Sequence, residues 1–157
     1  MNPFKNIIAK FQSVKKIPQR MGFIVLDSIN DNFKKQSFDG RPWKAKQLND
    51  GRSLLVKSGK LRRSIRLAEA SWRRIVISTD MPQAKIHNDG GEISVTAKMK
   101  KFFWAKYQST QNPYWKRLAL TKKQKLKIPQ RRFMGVDSNT KKKLEKEFYN
   151  TFKNIFR

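Results

Sequence analysis

The residues Lys125-Leu-Lys-Ile-Pro-Gln-Arg-Arg-Phe-Met-Gly135 constrain the fold more than any other stretch of this chain. Leu126 and Ile128 alternate with Lys125 and Lys127, the period of a strand with one covered face. Pro129 has no N–H to give a ladder, so the strand ends there or lies at a free edge. Phe133 is then the apolar anchor, and Gly135 permits a turn into a helix that starts near Asp137. A strand stopped by proline and followed by a long terminal helix calls for both β and α layers. Nothing in the stretch is chemically reactive, so its role is to position other groups.

Helical periodicity brackets the chain. Asn2 and Pro3 read as an N-cap and a first-turn proline. Phe4, Ile7, Ile8, Phe11 and Val14 then share one face, opposite Lys5, Lys10 and Lys15. This run ends before Pro18. The segment 1–17 is placed to pack outward on a neighbouring subunit, as an assembly arm. A second helix, from Pro18 to about Lys35, spaces Met21, Val25, Ile29 and Phe33 by four, with Ile24 and Leu26 widening the stripe. That face belongs on the core. The last helix, about Ser138 to Phe156, aligns Leu144, Phe148, Phe152, Ile155 and Phe156, while Lys141, Lys142, Lys146 and Lys153 lie mostly elsewhere.

Between the helices the pattern shortens. Asp39-Gly40 and Arg41-Pro42 are turn chemistry, with Phe38 and Trp43 pinning the loop to the body. The other reading of these rings, beside Arg41 and Lys44, is stacking on a base. Ser58 is positioned to cap a short helix in which Leu61 and Ile65 share a face, and Gly59 lets backbone approach closely. Ile65 to Ala68, a turn at Glu69-Ala-Ser71, and the β-branched run Arg73 to Thr79 form a hairpin with Ile75 and Ile77 inward. Pro82 to Gly91 suits a short helix, and Glu92 to Val95 a third strand. Thr96 caps a helix bearing Met99, Phe102, Phe103 and Tyr107, Asn112-Pro113 opens another, and Lys122 to Lys127 returns as a strand. The expected fold is α+β: a small antiparallel sheet of three to four strands packed against long N- and C-terminal helices. Residues 1–157 are expected to form a single domain, with 93–123 an aromatic-basic helical insertion.

Charge narrows the partners. The chain carries 37 Lys and Arg against 11 Asp and Glu, a formal net charge of +26 over 157 residues. Such a field attracts nucleic acid or an acidic protein surface. A basic soluble surface without a specific anionic ligand is the plainer alternative. Basic-aromatic segments at Lys98 to Lys106, Tyr114 to Arg117 and Arg131 to Phe133 suit phosphate contact and stacking, or equally a core or subunit interface. There is no cysteine, hence no disulfide or thiolate metal site. The start, Met1-Asn-Pro-Phe-Lys, lacks the apolar core of a signal peptide, and no apolar run is long enough to span a bilayer. A soluble chain is expected.

Catalytic patterns are missing. The single histidine, His87, near Asp89 and Glu92, has no second histidine or spaced carboxylate pair, and a satisfied histidine at a helix end is the expected role. No phosphate-binding glycine loop, nucleophile elbow or zinc-binding helix motif occurs. No catalytic residue, metal or cofactor is expected.

Four landmarks, in order, resemble the bacteriophage virion morphogenesis family, the Mu-like tail completion proteins. They are the loop Phe38-Asp-Gly-Arg-Pro-Trp43, the stretch Leu55-Val-Lys-Ser-Gly-Lys-Leu-Arg-Arg-Ser-Ile65, the stretch Ala84-Lys-Ile-His-Asn-Asp-Gly-Gly91, and the closing Ile128-Pro-Gln-Arg-Arg-Phe-Met-Gly135. Ile93 to Lys123 is longer and more aromatic than the family pattern. The resemblance implies a structural α+β protein of a phage or prophage tail, assembled as a ring that caps the tail tube and joins it to the neck. It implies tail-tube and neck proteins as partners, and a place in the virion after assembly in the host cytoplasm. A monomeric protein binding nucleic acid without sequence preference is the alternative. Arg131, Arg132, Lys125, Lys127, Arg62 and Arg63 are the cations expected to face DNA or an acidic partner. Trp43, Leu61, Gly91, Phe133 and Gly135 are the expected anchors.

Overall fold

A computed structural model describes the backbone of residues 3–48 and 51–155, and the side chains of residue 8 and of residues 10–48 and 51–154. Two helices open the chain, α1 (Pro3–Lys15) and α2 (Ile17–Lys35). Pro18 sits in the first turn of α2, where its missing N–H costs nothing, and Gln36 closes the helix in the left-handed region. The N-cap expected at Asn2 lies outside the described residues, as do the side chains of Phe4, Ile7, Ile155 and Phe156. On the described part of α1, Ile8 and Phe11 are exposed rather than packed, although the helix touches α2 and the terminal helix.

The turn Asp39-Gly40 joins two very short strands, β1 (Ser37–Phe38) and β2 (Arg41–Pro42). Next comes α3 (Lys60–Ser64), whose N-cap is Gly59 at φ +70° and not Ser58. Ser58 instead offers its carbonyl to Arg63 Nη2 at 2.9 Å. The hairpin follows as β3 (Arg66–Ala70) and β4 (Ile75–Ser78). Its turn falls at Ser71 to Arg74, closed by Ser71 N–H donating to the Arg74 carbonyl at 2.9 Å. Glu69 stays in the strand, paired with Val76, and its carboxylate holds the Arg74 guanidinium across the turn at 2.6 Å. Helix α4 (Ala84–Asp89) leads into β5 (Gly91–Ser94). Then come α5 (Ala97–Thr110), α6 (Pro113–Ala119), β6 (Lys125–Ile128) and α7 (Ser138–Ile155).

The fold is α+β, but the strands divide differently from the expected small sheet. Each ladder is two-stranded: β1 with β2, β3 with β4, and β5 with β6, all antiparallel. The hairpin lies on α2, whereas β5 and β6 pair across the whole α5–α6 excursion, Gly91 facing Ile128 and Ser94 facing Lys125. Glu92, Lys125 and Lys127 are exposed and Pro129 stops β6, so this ribbon offers no long flat edge for a third strand.

Ile29, Phe33, Trp43, Leu61, Ala84 and Phe133 form the core, flanked by Val25, Ile65, Ile77 and Met134. Phe33 meets Trp43 edge-on at 5.6 Å and Phe133 at 5.1 Å between ring centroids. Helix α7 packs on α2 through a polar seam: Ser28 and Thr140 share a buried hydrogen bond, and Arg20 pairs with Glu147 at 3.4 Å. The buried positions Thr140 and Thr151 therefore point inward, while Phe148, assigned to the packing face by apolar spacing alone, is 43% exposed.

Candidate interaction surfaces

The four landmark stretches meet on one short segment, Arg131 to Met134. Its backbone is held almost group by group. Arg131 N–H donates to the His87 carbonyl at 2.8 Å, and Trp43 Nε1–H donates to the Arg132 carbonyl at 2.8 Å. Asn88 Oδ1 accepts from both Phe133 N–H (3.0 Å) and Met134 N–H (2.9 Å), and Asn32 Nδ2 donates to the Phe133 carbonyl at 3.2 Å. Buried backbone polar groups need such partners, and here side chains of α2, α4 and the Trp43 loop supply them because Pro129 has ended the ladder. Leu61 of α3 completes the core around Phe133, which is fully buried.

One glycine allows two of these stretches to approach closely, and two more fit tightly within their own. Gly90, at φ +74°, lies so near Gln130 that a Cβ would come within 2.8 Å of its backbone nitrogen. Gly135, at φ +147°, passes under the Arg132 guanidinium. Gly91 also has positive φ, and a Cβ there would meet Ile86 at 2.9 Å. Asn32, Asn88 and Gly90 escape a reading of apolar periodicity, since the asparagines bond backbone groups and the glycine makes room for Gln130. The available signal for Asn88 and Gly90 was their place in Asn88-Asp-Gly-Gly91.

The expected cations separate into distinct environments. Arg131 is not a surface cation: it is 8% exposed, and its guanidinium donates to the Lys44 carbonyl at 2.8 Å and the Ala45 carbonyl at 3.2 Å. Burial pulls its pKa below the ordinary arginine value. Arg132 is exposed and lies over the Phe38 ring at 4.6 Å. Arg62 donates to Asn30 Oδ1 at 2.9 Å, partly buried, and Arg63 is exposed but tied to Ser58. Lys125 and Lys127 point out from β6, Lys125 with Glu92 at 3.6 Å.

His87 departs from the satisfied role. Its Nδ1 is buried without a hydrogen-bond partner, at the edge of a groove of about 470 Å³ lined also by Leu61, Met81, Lys60 and Arg131. Burial, then the adjacent Arg131 charge, lower its pKa, outweighing any help from the helix C-terminus. With Nδ1 unpartnered, the imidazole has no carboxylate bonded there to orient it for acid–base work. Among the described residues, no cluster of three His, Cys, Asp or Glu is placed to hold a metal ion, and no helix is long and apolar enough to cross a membrane.

The model of the phage virion morphogenesis family matches residues 2–153. The chain belongs to this family. It is a phage morphogenesis protein, and the match spans all four of the stretches that converge on Phe133. No curated protein and no solved structure matches it.

Proposed function

We propose that the protein is a tail completion or head–tail connector component, capping the tail tube and joining it to the neck around the DNA channel as a ring of identical copies. The observation that carries this beyond family membership is the distribution of uncovered apolar side chains. Ile8 and Phe11 on α1, Phe23 on α2, and Phe148 and Tyr149 on α7 are exposed on three helices that pack together, Phe11 to 67%. Large exposed apolar groups mark subunit contacts. Helix α1 serves in this reading as the assembly arm. With +26 per chain, copies repel one another unless an anionic neighbour or DNA neutralises them, so the ring closes on the tail tube and not in dilute solution.

The test is native mass measurement and negative-stain imaging of the wild type and a Phe11→Asp, Phe148→Asp variant, alone and with purified tail tubes. Wild type should form rings on tube ends and the variant should not. A wild type that stays monomeric with tubes, yet binds DNA, would favour the alternative of a monomeric nucleic-acid-binding protein. That reading draws its support from the distribution of charge described next.

A further inference from the structure

The ribbon and helical hairpin formed by β5, α5, α6 and β6 packs largely on itself and has an unusual charge. Phe103 stacks on Trp115 at 6.0 Å and 26°, Phe102 meets Trp115 edge-on, and Tyr114 packs beside it, so the hairpin carries its own small aromatic core. Thr96 and Asn112 cap the two helices with side-chain hydrogen bonds to Met99 N–H and Tyr114 N–H. From Gly91 to Ile128 there are nine lysines and one arginine against a single acid, Glu92, which pairs with Lys125 at 3.6 Å. All of these cations except Lys106 are exposed.

Helix α5 holds its charges against local preference. Lys98 and Lys100 lie in its first turn and Lys101 just beyond, with no acid there, although the positive end of the helix dipole disfavours cations. An anion bound there would relieve this cost. Protein interfaces are depleted in lysine, whereas phosphate backbones are met by mobile lysine point charges. The composition therefore discriminates between the two kinds of anionic partner.

We propose that this β5–α5–α6–β6 arm is a DNA-binding surface that grips the phosphate backbone of duplex DNA without reading sequence, with the first turns of α5 as its main contact. This assignment stands independently of ring formation, because it concerns the isolated chain.

The experiment compares two triple variants of the full chain: Lys98→Gln, Lys100→Gln, Lys101→Gln on α5, and Lys141→Gln, Lys142→Gln, Lys146→Gln on α7. Each removes the same charge at exposed positions, and glutamine matches lysine in helix propensity. The probe is a duplex of unrelated sequence, titrated across salt concentrations. Each phosphate contact contributes about 0.9 to the slope of log K against log salt, so the α5 variant should lose about 2.7 of slope and roughly tenfold or more in affinity. Its thermal midpoint should match or exceed wild type, since unfavourable charges leave the helix start. The α7 variant should retain most of its slope. Equal losses in both variants would mean diffuse attraction and overturn the assignment. So would polyglutamate of matched charge binding as tightly as the duplex, which would point to an acidic protein.

Discussion

Replacing Arg131 with methionine separates a structural cation from a ligand-facing one. The side chain is buried and reaches two carbonyls of the loop after Trp43, at 2.8 and 3.2 Å. Hydrogen bonds from a charged donor are worth about 1.5–3 kcal/mol each, so the gross loss is about 3–6 kcal/mol. Among the described residues no carboxylate pairs with this guanidinium, and relieving its burial returns part of that loss. A net destabilisation of about 2–4 kcal/mol follows, a large fraction of the stability of an ordinary domain. Urea unfolding should show it as a lowered midpoint with unchanged slope. The companion Arg132→Met removes an exposed guanidinium that lies over Phe38, a contact worth about 0.5–1 kcal/mol, and that donates a long bond to the Met134 carbonyl at 3.4 Å. Duplex DNA binding of folded Arg131→Met should equal wild type. If Arg131→Met unfolds with wild type but loses DNA affinity, the reasoning fails and the residue faces a ligand after all.

Three further perturbations probe the same hub and its surroundings. Asn88→Ala orphans the N–H groups of Phe133 and Met134 and should cost about 2–4 kcal/mol in urea unfolding, at about 1–3 per unsatisfied group less what water recovers; a loss under about 0.5 kcal/mol would show that the bracket is dispensable. Gly90→Ala forces a Cβ against the Gln130 backbone at positive φ, so a thermal midpoint several degrees lower is expected; a gain in stability would mean that the α4 end and the β6 end yield easily. His87 has a folded pKa below its ordinary 6.5, so the unfolded chain binds the extra proton and stability declines as pH falls through 6.5 toward the folded value. His87→Leu should remove that portion of the decline between pH 7.5 and 5.5, and an unchanged decline would place its origin elsewhere.

How much of this could be read from residues alone depends on the kind of interaction. The helix from Ile17 to Lys35, the caps Thr96 and Asn112, and the strand halted by Pro129 follow from local rules, because periodicity, capping and proline act within a few residues. Pairing was less accessible. That β5 takes β6 and leaves the β3–β4 hairpin alone is decided by thirty intervening residues folding into their own aromatic hairpin. The polar seam Ser28–Thr140 and the exposure of Phe148 rotate the buried face of α7 away from the one hydrophobicity assigns, while Leu144 and Phe152 stay half-buried. Arg131 and Arg132 are neighbours of identical chemistry, and only the tertiary placement of the Lys44 and Ala45 carbonyls makes one a buried clamp and the other a surface charge. Asn88, with two backbone amides forty-five and forty-six residues away, gives no periodic signal at all.

The most direct test of a joining role is electron microscopy of particles from a phage deleted for this gene, complemented in parallel by wild type and by His87→Gln. The account predicts tails left unfinished or unattached to DNA-filled heads in the deletion, and whole virions restored equally by both genes. Whole, infectious virions produced by the deletion strain, or a failure confined to the folded His87→Gln complement, would contradict it.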